Sequence, residues 1–267
     1  MMARLYVDPD SAPTWGDGAE FELPPEAARH AQVLRLQPGD GLCIFNGTGG
    51  QWPAEVVRMS RGGVRVRLAA HENIERELPV SVTLAVCIPA NDRMDALVEK
   101  ATELGAAGII PVTSQRSVLR ISGHRAVKRL SHWQSVVRAA CEQCGRNRLP
   151  LVHPVQPLDS LLGAGEAPNG LPGPLECWQL SLAAGAVPLA QAWRARVSRT
   201  AARPDAGLLI LSGPEGGLAP VEQARAQAVG FMPVGLGPRT LRADTAPLAT
   251  LATLAALAAP GIVPMED

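Results

Sequence analysis

Lysine is nearly missing from this chain: only Lys100 and Lys128 occur, and arginine supplies 23 of the 25 basic side chains. Nucleotide composition alone can produce such a bias, so it carries no functional weight. Cysteine is scarce, five residues in a chain of 267. An odd number in a protein too large to need staples fits reduced thiols in a cytoplasm and not a disulfide framework. There is no long hydrophobic run. The most apolar stretch, 247–260, is alanine-rich and shorter than the roughly 20 residues that cross a bilayer. Residues 1–10 carry acids where a signal peptide is apolar. The expectation is a soluble cytoplasmic protein with neither export nor membrane insertion. A net charge is lacking too, at +0, which argues against a surface coated in nonspecific nucleic-acid contacts. Dinucleotide, P-loop and zinc-protease motifs are absent, and His30, His71, His124, His132 and His153 form no triad-like group.

What remains is a chain able to build a core. Hydrophobic residues make up 46% and charged residues 19%, with a mean hydropathy of +0.07. Disorder and coiled coil are excluded. The length suits two ordinary domains.

The first part reads as β-rich. Short strand-like runs at 42–45, 52–59 and 64–68 are separated by Asn46-Gly47-Thr48-Gly49-Gly50 and by Ser60-Arg61-Gly62-Gly63. Glycine turns between β-prone runs describe a meander or a small barrel. A short helix is expected at 24–36, closed by the turn residues 37–40. The charged stretch 71–78 ends at Pro79, which sets a boundary between domains at 1–76 and 77–267. Beyond it the period changes. A buried-strand run at 80–88 precedes Met94, Leu97, Val98, Ala101 and Leu104 at helical spacing, and 108–112 reads as another strand, a βαβ unit. A helix at 125–144, strands at 175–180, 208–212 and 231–236, and helices at 187–199, 219–229 and 244–259 continue the alternation. The fold class is α/β with a mainly parallel sheet covered on both faces. Ligands of such sheets bind beyond the carboxyl ends of the strands. The stretch 163–174 reads as a surface loop.

Two bends there stand out. Ser212-Gly213-Pro214-Glu215-Gly216-Gly217 follows an apolar strand and precedes a helix, leaving main-chain N–H groups open at a helix start. The bland alternative is a tight strand-to-helix turn. The second, from Leu236 and Gly237 through Arg239, Thr240, Leu241, Arg242 and Asp244 to Ala246, has the same context. Asp244 is placed to cap the following helix. Two such elbows at one sheet edge can enclose a flat heterocycle, and Arg239 and Arg242 add positive charge for a phosphate or a developing anion.

Charge is uneven. Residues 1–78 hold 8 basic and 11 acidic side chains, whereas Arg116, Arg120, Arg125, Lys128, Arg129, Arg138, Arg146 and Arg148 face only Glu142 between 116 and 148. That run is either a solvated helix face or a phosphate-tracking surface. Cys141-Glu142-Gln143-Cys144 matches C-x-x-C, but within a predicted helix and with no second pair it reads as packing and not as a metal site. The five tryptophans read as core anchors, with base stacking as the alternative.

These residues resemble the RsmE family of 16S ribosomal RNA uridine-N3 methyltransferases. The resemblance is carried by 211–217 and 236–246, by Arg93-Met94-Asp95 with 99–105, by 142–146, and by Val33-Leu34-Arg35 with Gly39-Asp40. It implies a PUA-like RNA-binding β-barrel followed by a SPOUT α/β domain with a C-terminal trefoil knot. It also implies S-adenosyl-L-methionine as cofactor, held by Leu211, Ser212, Gly213, Pro214, Glu215, Gly216, Gly217, Leu236, Gly237, Leu241, Arg242 and Ala246. The partners would be 16S rRNA or the small ribosomal subunit and a second copy of the chain. Members of the family usually carry a bulky aliphatic residue where Thr240 stands and Thr-Glu where Ala243-Asp244 stand. Asp244 keeps the carboxylate but reaches one methylene less far.

In this reading Arg242 or Arg239 stabilises the anion formed when uridine N3 loses its proton, and Asp244 is a weak candidate for the base. RNA contacts come from Arg4, Arg35, Arg93, Arg116, Arg120 and Arg146, which position the backbone without reading sequence. The alternatives are a SPOUT enzyme acting on transfer RNA or a ribose hydroxyl, and a noncatalytic RNA-binding assembly factor.

Overall fold

Alternation of buried and exposed positions builds the first sheet. The computed structural model describes residues 2–12, 14–90, 93–163, 175–200 and 206–258. The chain divides into two units, Met1–Glu77 with Arg138–Leu149, and Leu78–Val137 with Pro150–Asp267. In the first, strands β1 (Ala3–Tyr6), β2 (Glu20–Glu22), β3 (Gly41–Phe45), β4 (Trp52–Ser60) and β5 (Gly63–Leu68) form a sheet of order β1-β3-β4-β5-β2. β1 runs parallel to β3 and the other pairs are antiparallel. β5 shows the expected period of two: Val64, Val66 and Leu68 are buried. Arg65 and Arg67 between them pair with Glu22 and Glu20 on β2, at 3.2 and 2.7 Å. Helix α1 (Pro25–Val33) starts on a proline and buries Ala27, Ala28 and Ala31 against this sheet. It ends at Arg35, whose φ of 58° is left-handed, while the Leu36 N–H donates back to the Ala31 carbonyl.

The sequence boundary near Pro79 does not foresee that 138–149 packs with the first unit. The Arg4 guanidinium donates to Asn147 Oδ1 at 2.6 Å and to Gln51 Oε1 at 2.8 Å. Asn147 Nδ2 in turn donates to the Ile74 carbonyl. Tyr6 N–H donates to Glu142 Oε1 at 2.9 Å, and Glu142 Oε2 lies 3.2 Å from His30. Burial raises the Glu142 carboxyl above its ordinary value, against the opposing pull of Tyr6 and His30. The polar motif 142–147 is thus a clasp inside the unit.

The second unit alternates strands and helices: β6 (Val82–Cys87), α2 (Arg93–Glu103), β7 (Gly108–Thr113), α3 (Gly123–Cys144, in this unit as far as Val137), β8 (Leu151–Val152), β9 (Gln156–Pro157), α4 (Leu158–Gly163), β10 (Leu175–Leu180), β11 (Val187–Pro188), α5 (Leu189–Thr200), β12 (Gly207–Ser212), α6 (Pro220–Ala228), β13 (Met232–Gly235) and α7 (Thr245–Ala258). The sheet order is β11-β13-β10-β12-β6-β7-β8, with β9 also on β7, and every pair is parallel. β6 and β12, in the middle, are buried at all six positions, as a sheet covered on both faces requires. One face packs Ala85, Ile110, Leu209 and Leu211 against Leu161 of α4 and Ala226 of α6. On β6 and β12, α7 contributes the other cover.

The short β1, β2, β8, β9 and β11 and the six-residue α4 escape sequence periodicity because each is too brief to show one. The loop expected at 163–174 and residue 259 of the last helix lie almost wholly outside the described residues.

Candidate active site

Where the central strands end, three bends converge. After β12 the chain turns at Gly213, and the Gly217 N–H closes back on the Pro214 carbonyl at 2.8 Å. A Cβ at Gly213 would stand 3.1 Å from the Leu218 nitrogen, so the two sides of the bend lie almost in contact. Glu215 Oε1 accepts from Ala90 N–H at 2.8 Å, and the Gly216 carbonyl accepts from Arg116 Nη1 at 2.8 Å. Behind the bend Glu222 is only 6% exposed. Its two oxygens accept from Ala219 and Gln115 N–H groups at 2.8 Å each, which ties the start of α6 to the loop after β7. Cys87, at the end of β6, is pushed up to about 12 by burial, against the pull of Ser114, so its thiol stays protonated and inert.

The second bend runs from β13 to α7. Gly237 has a φ of 103°, and the Arg242 carbonyl accepts from both Thr245 and Ala246 N–H groups at 3.0 Å. The third bend, after β10, is absent from the sequence reading. There Ser181 Oγ accepts from Ala183 N–H at 3.1 Å, and Ser181 N–H donates to Val234. Together they enclose a cleft of about 530 Å³, within the size range of small-molecule sites.

Ser212, Gly213, Pro214, Glu215, Gly217, Leu236, Leu241, Arg242 and Ala246 line this cleft, as does Arg239. Leu211 is fully buried in the sheet core, and Gly216 and Gly237 shape the bends without lining the cavity. Arg239 and Arg242 are exposed at its edge, and neither has an ion-pair partner among the described residues. Asp244 is not in the lining. Its Oδ1 lies 3.7 Å from Arg93 Nη1 and lacks a hydrogen-bond partner among the described residues. Leu180, Ser181, Gln179 and Gln223 also line the cleft. The one signal available for them was Gln179, a polar residue at the end of an otherwise largely apolar strand.

The arginines expected to contact RNA separate into two groups. Arg35, Arg116 and Arg120 are exposed, and Arg120 borders a second cleft of about 590 Å³ beyond β7 and β9. Arg93 is shared with Asp244. Arg4, which is half-buried, and Arg146, which is buried, are engaged as braces within the first unit. Arg146 is 3% exposed and its guanidinium is engaged by Glu77. Arg4 is consumed by the network with Asn147 and Gln51 and lies over the Phe45 ring, and burial lowers its basicity. The basic run divides in the same way. Arg138, Arg146 and Arg148 meet Glu26, Glu77 and Glu75, so the acids in excess before residue 78 neutralise the run's second half. Arg125 and Lys128 carry no carboxylate partner among the described residues.

The other side chains weighed in the sequence are accounted for by packing. Trp52, Trp133, Trp178 and Trp193 are buried, and Trp15 packs on Trp52 at 4.6 Å. Cys141 is fully buried, and its hydrogen bond with Cys144, then burial, raises its thiol.

Residues 76–255 match the family model described as an RNA methyltransferase domain, and 23–69 match an RNA methyltransferase PUA domain. The ribosomal RNA small subunit methyltransferase E of Bacillus subtilis is 31% identical over 85% of this chain and 86% of its own. Its counterpart in Mycobacterium tuberculosis is 32% identical over 92% and 88%. That of Synechocystis is 34% identical over 81% of this chain, which spans 66% of that longer relative. Two solved structures superpose with a TM-score of 0.81 over 96% of this chain and 98% of theirs. One is a Legionella pneumophila methyltransferase in complex with bound SAM, 31% identical, and the other the Neisseria gonorrhoeae small subunit methyltransferase E bound to S-adenosyl methionine, 30% identical. With a domain model matched over most of its length and the Bacillus subtilis and Mycobacterium tuberculosis relatives, both above 30% identity, aligned over 85% or more of each chain, the chain belongs to the ribosomal RNA small subunit methyltransferase E family.

Proposed function

We propose that this protein methylates N3 of a uridine in the decoding region of 16S ribosomal RNA, with S-adenosyl-L-methionine as methyl donor. The observation that carries the reading is the cleft at the carboxyl ends of β10, β12 and β13, where two glycine bends meet beside Arg239 and Arg242.

The residues present suit that cofactor. Leu218, Val234, Leu236 and Leu241 supply an apolar wall for a purine, and the bends offer main-chain polar groups to its edge. The cleft has no lysine and no P-loop, as befits a ligand without phosphates. When bound, S-adenosyl-L-methionine supplies a methyl group activated on a sulfonium sulfur. Gly213 lets the 212–217 bend close tightly, and Glu215 holds that bend to Ala90. A neutral uracil N3–H is a poor nucleophile, and losing its proton spreads negative charge over the ring. Arg242 and Arg239, without carboxylate partners among the described residues, are placed to stabilise that charge. Asp244 is occupied by Arg93, which favours a positioning role for it over proton removal.

In the same reading residues 1–76 form a PUA-like barrel and 77–267 a SPOUT domain whose second bend lies in a trefoil knot. Arg35, Arg93, Arg116 and Arg120 track RNA phosphates, and a cytoplasmic homodimer is the active form. The matched PUA and methyltransferase models support this division of labour.

The test is to incubate the protein and its Arg242→Ala variant with unmodified small ribosomal subunits and isotopically labelled donor, then to quantify nucleosides by mass spectrometry. Labelled 3-methyluridine is expected, with a rate about 100-fold lower in the variant. A labelled ribose or a different base would overturn the reading, as would wild-type protein that incorporates no label.

A further inference from the structure

Gln179 lies in the penultimate position of β10, in register with Leu211 of β12 and Pro233 of β13. Paired residues of parallel strands share a face of the sheet. Leu211 belongs to the apolar cluster with Leu209, Leu218 and Ala226, and Cys177, two residues before Gln179, packs on the same cluster. The carboxamide therefore stands on an apolar face. It is 2% exposed, it lines the cleft, and its Oε1 has no hydrogen-bond partner among the described residues. Among the other polar groups lining the cleft, Gln223 Nε2 donates to the Leu218 carbonyl and Ser181 Oγ accepts from Ala183 N–H. A buried polar group left unpaired by its own protein is costly, and one in the floor of a cleft is a place where a ligand supplies the missing partner.

We infer that Gln179 is a specificity-determining residue of the cofactor site, reading the exocyclic amine of the bound purine. This rests on the cofactor assignment above. The charged members of the cleft lining, Glu215, Arg239 and Arg242, are exposed, whereas at the buried Gln179, on the face it shares with Leu211 and Leu218, an ammonium or carboxylate would have to shed its hydration without a counter-ion. The uncharged, flat purine is the part of the ligand that can enter, and its amine is the strong neutral donor it carries. The carboxamide and the amine then satisfy each other in a dry setting, where discrimination between ligands with and without the donor is greatest.

The experiment is a cycle of two ligands and three full-length proteins, read by titration calorimetry. The ligands are S-adenosylhomocysteine and its analogue with hydrogen in place of the 6-amino group. The proteins are wild type, Gln179→Leu and the near-isosteric Gln179→Met. Wild type is expected to prefer the amino ligand, and in both variants that preference should shrink by about fivefold or more, with affinity for the deaminated analogue unchanged. Both variants lose an unpaired buried acceptor, so their melting temperatures without ligand should equal or exceed that of wild type. An undiminished preference, or an equal loss for both ligands, overturns the role of Gln179 while leaving the cofactor assignment standing. No binding of S-adenosylhomocysteine to wild type overturns the cofactor assignment and this role with it.

Discussion

Arg93, the first residue of α2, meets Asp244, the residue before α7, with 3.7 Å between Nη1 and Oδ1. The pair joins the start of the βαβ unit's helix to the end of the second bend, two segments 151 positions apart in the chain. Its Asp244 lies two residues from Arg242, which lines the cleft.

Both partners are partly exposed, at 35% and 27%, so the pair adds little stability. Arg93→Ala and Asp244→Ala should each lower methyl transfer, and the double variant should lose no more than the worse single one. Their coupling in denaturant-melt stability should stay below about 1 kcal/mol. Additive losses of rate would mean that the two act separately.

The arginines divide into enclosed and exposed ones, and the salt dependence of RNA binding distinguishes them. Arg120→Ala should leave the melting temperature unchanged and make the logarithmic salt slope of RNA binding shallower by about 0.7, one phosphate on an irregular strand. Arg146→Ala should do the reverse, with an unchanged slope and a stability loss of about 3 kcal/mol, since Glu77 is left without its buried partner. Urea titration and filter binding at several salt concentrations measure both.

His153 gives stability a dependence on pH. The residue is 8% exposed, Nε2 has no hydrogen-bond partner among the described residues, and burial lowers its pKa below the ordinary histidine value of about 6.5. The unfolded chain thus binds a proton that the folded one resists. The stabilisation is complete above pH 6.5 and declines as pH falls through that value towards the folded pKa. Urea midpoints of His153→Leu should fall less than those of wild type between pH 7 and pH 5, and parallel profiles would refute this.

Gly213 and Gly237 are needed for different reasons. Alanine at Gly213 would crowd the Leu218 nitrogen at 3.1 Å and its Cγ at 3.2 Å, so Gly213→Ala should weaken cofactor binding by shifting the bend. Alanine at Gly237 has open space around it but a φ of 103°. Gly237→Ala should cost about 1 kcal/mol of stability through backbone strain. Calorimetric binding together with thermal melts tells the two apart.

Much of this architecture is legible in the residues. The runs at 42–45, 52–59 and 64–68 fall on β3, β4 and β5: β4 and β5 alternate across a half-buried sheet, and β3 is a β-prone apolar run buried from Leu42 to Phe45 and bounded by glycine turns. The helix expected at 125–144 is α3, found at Gly123–Cys144, since its apolar side repeats over enough turns to be seen. β8 and β9, two residues each, show no period at all. The two glycine bends stand out because glycine and proline punctuate apolar strands. The third bend at 181–183 carries Ser-Leu-Ala, which marks nothing locally.

Local chemistry, then, determined where strands, helices and tight turns lie, because propensity and periodicity act over a few neighbouring residues. Tertiary structure decided which charge meets which. Arg146 and Arg120 look alike in the chain, yet one is enclosed beside Glu77 and the other is open to solvent. It also decided that Gln179 lies unpartnered at the cleft floor. Burial and pairing depend on which distant segments share a space, and a residue's immediate neighbours carry no record of that.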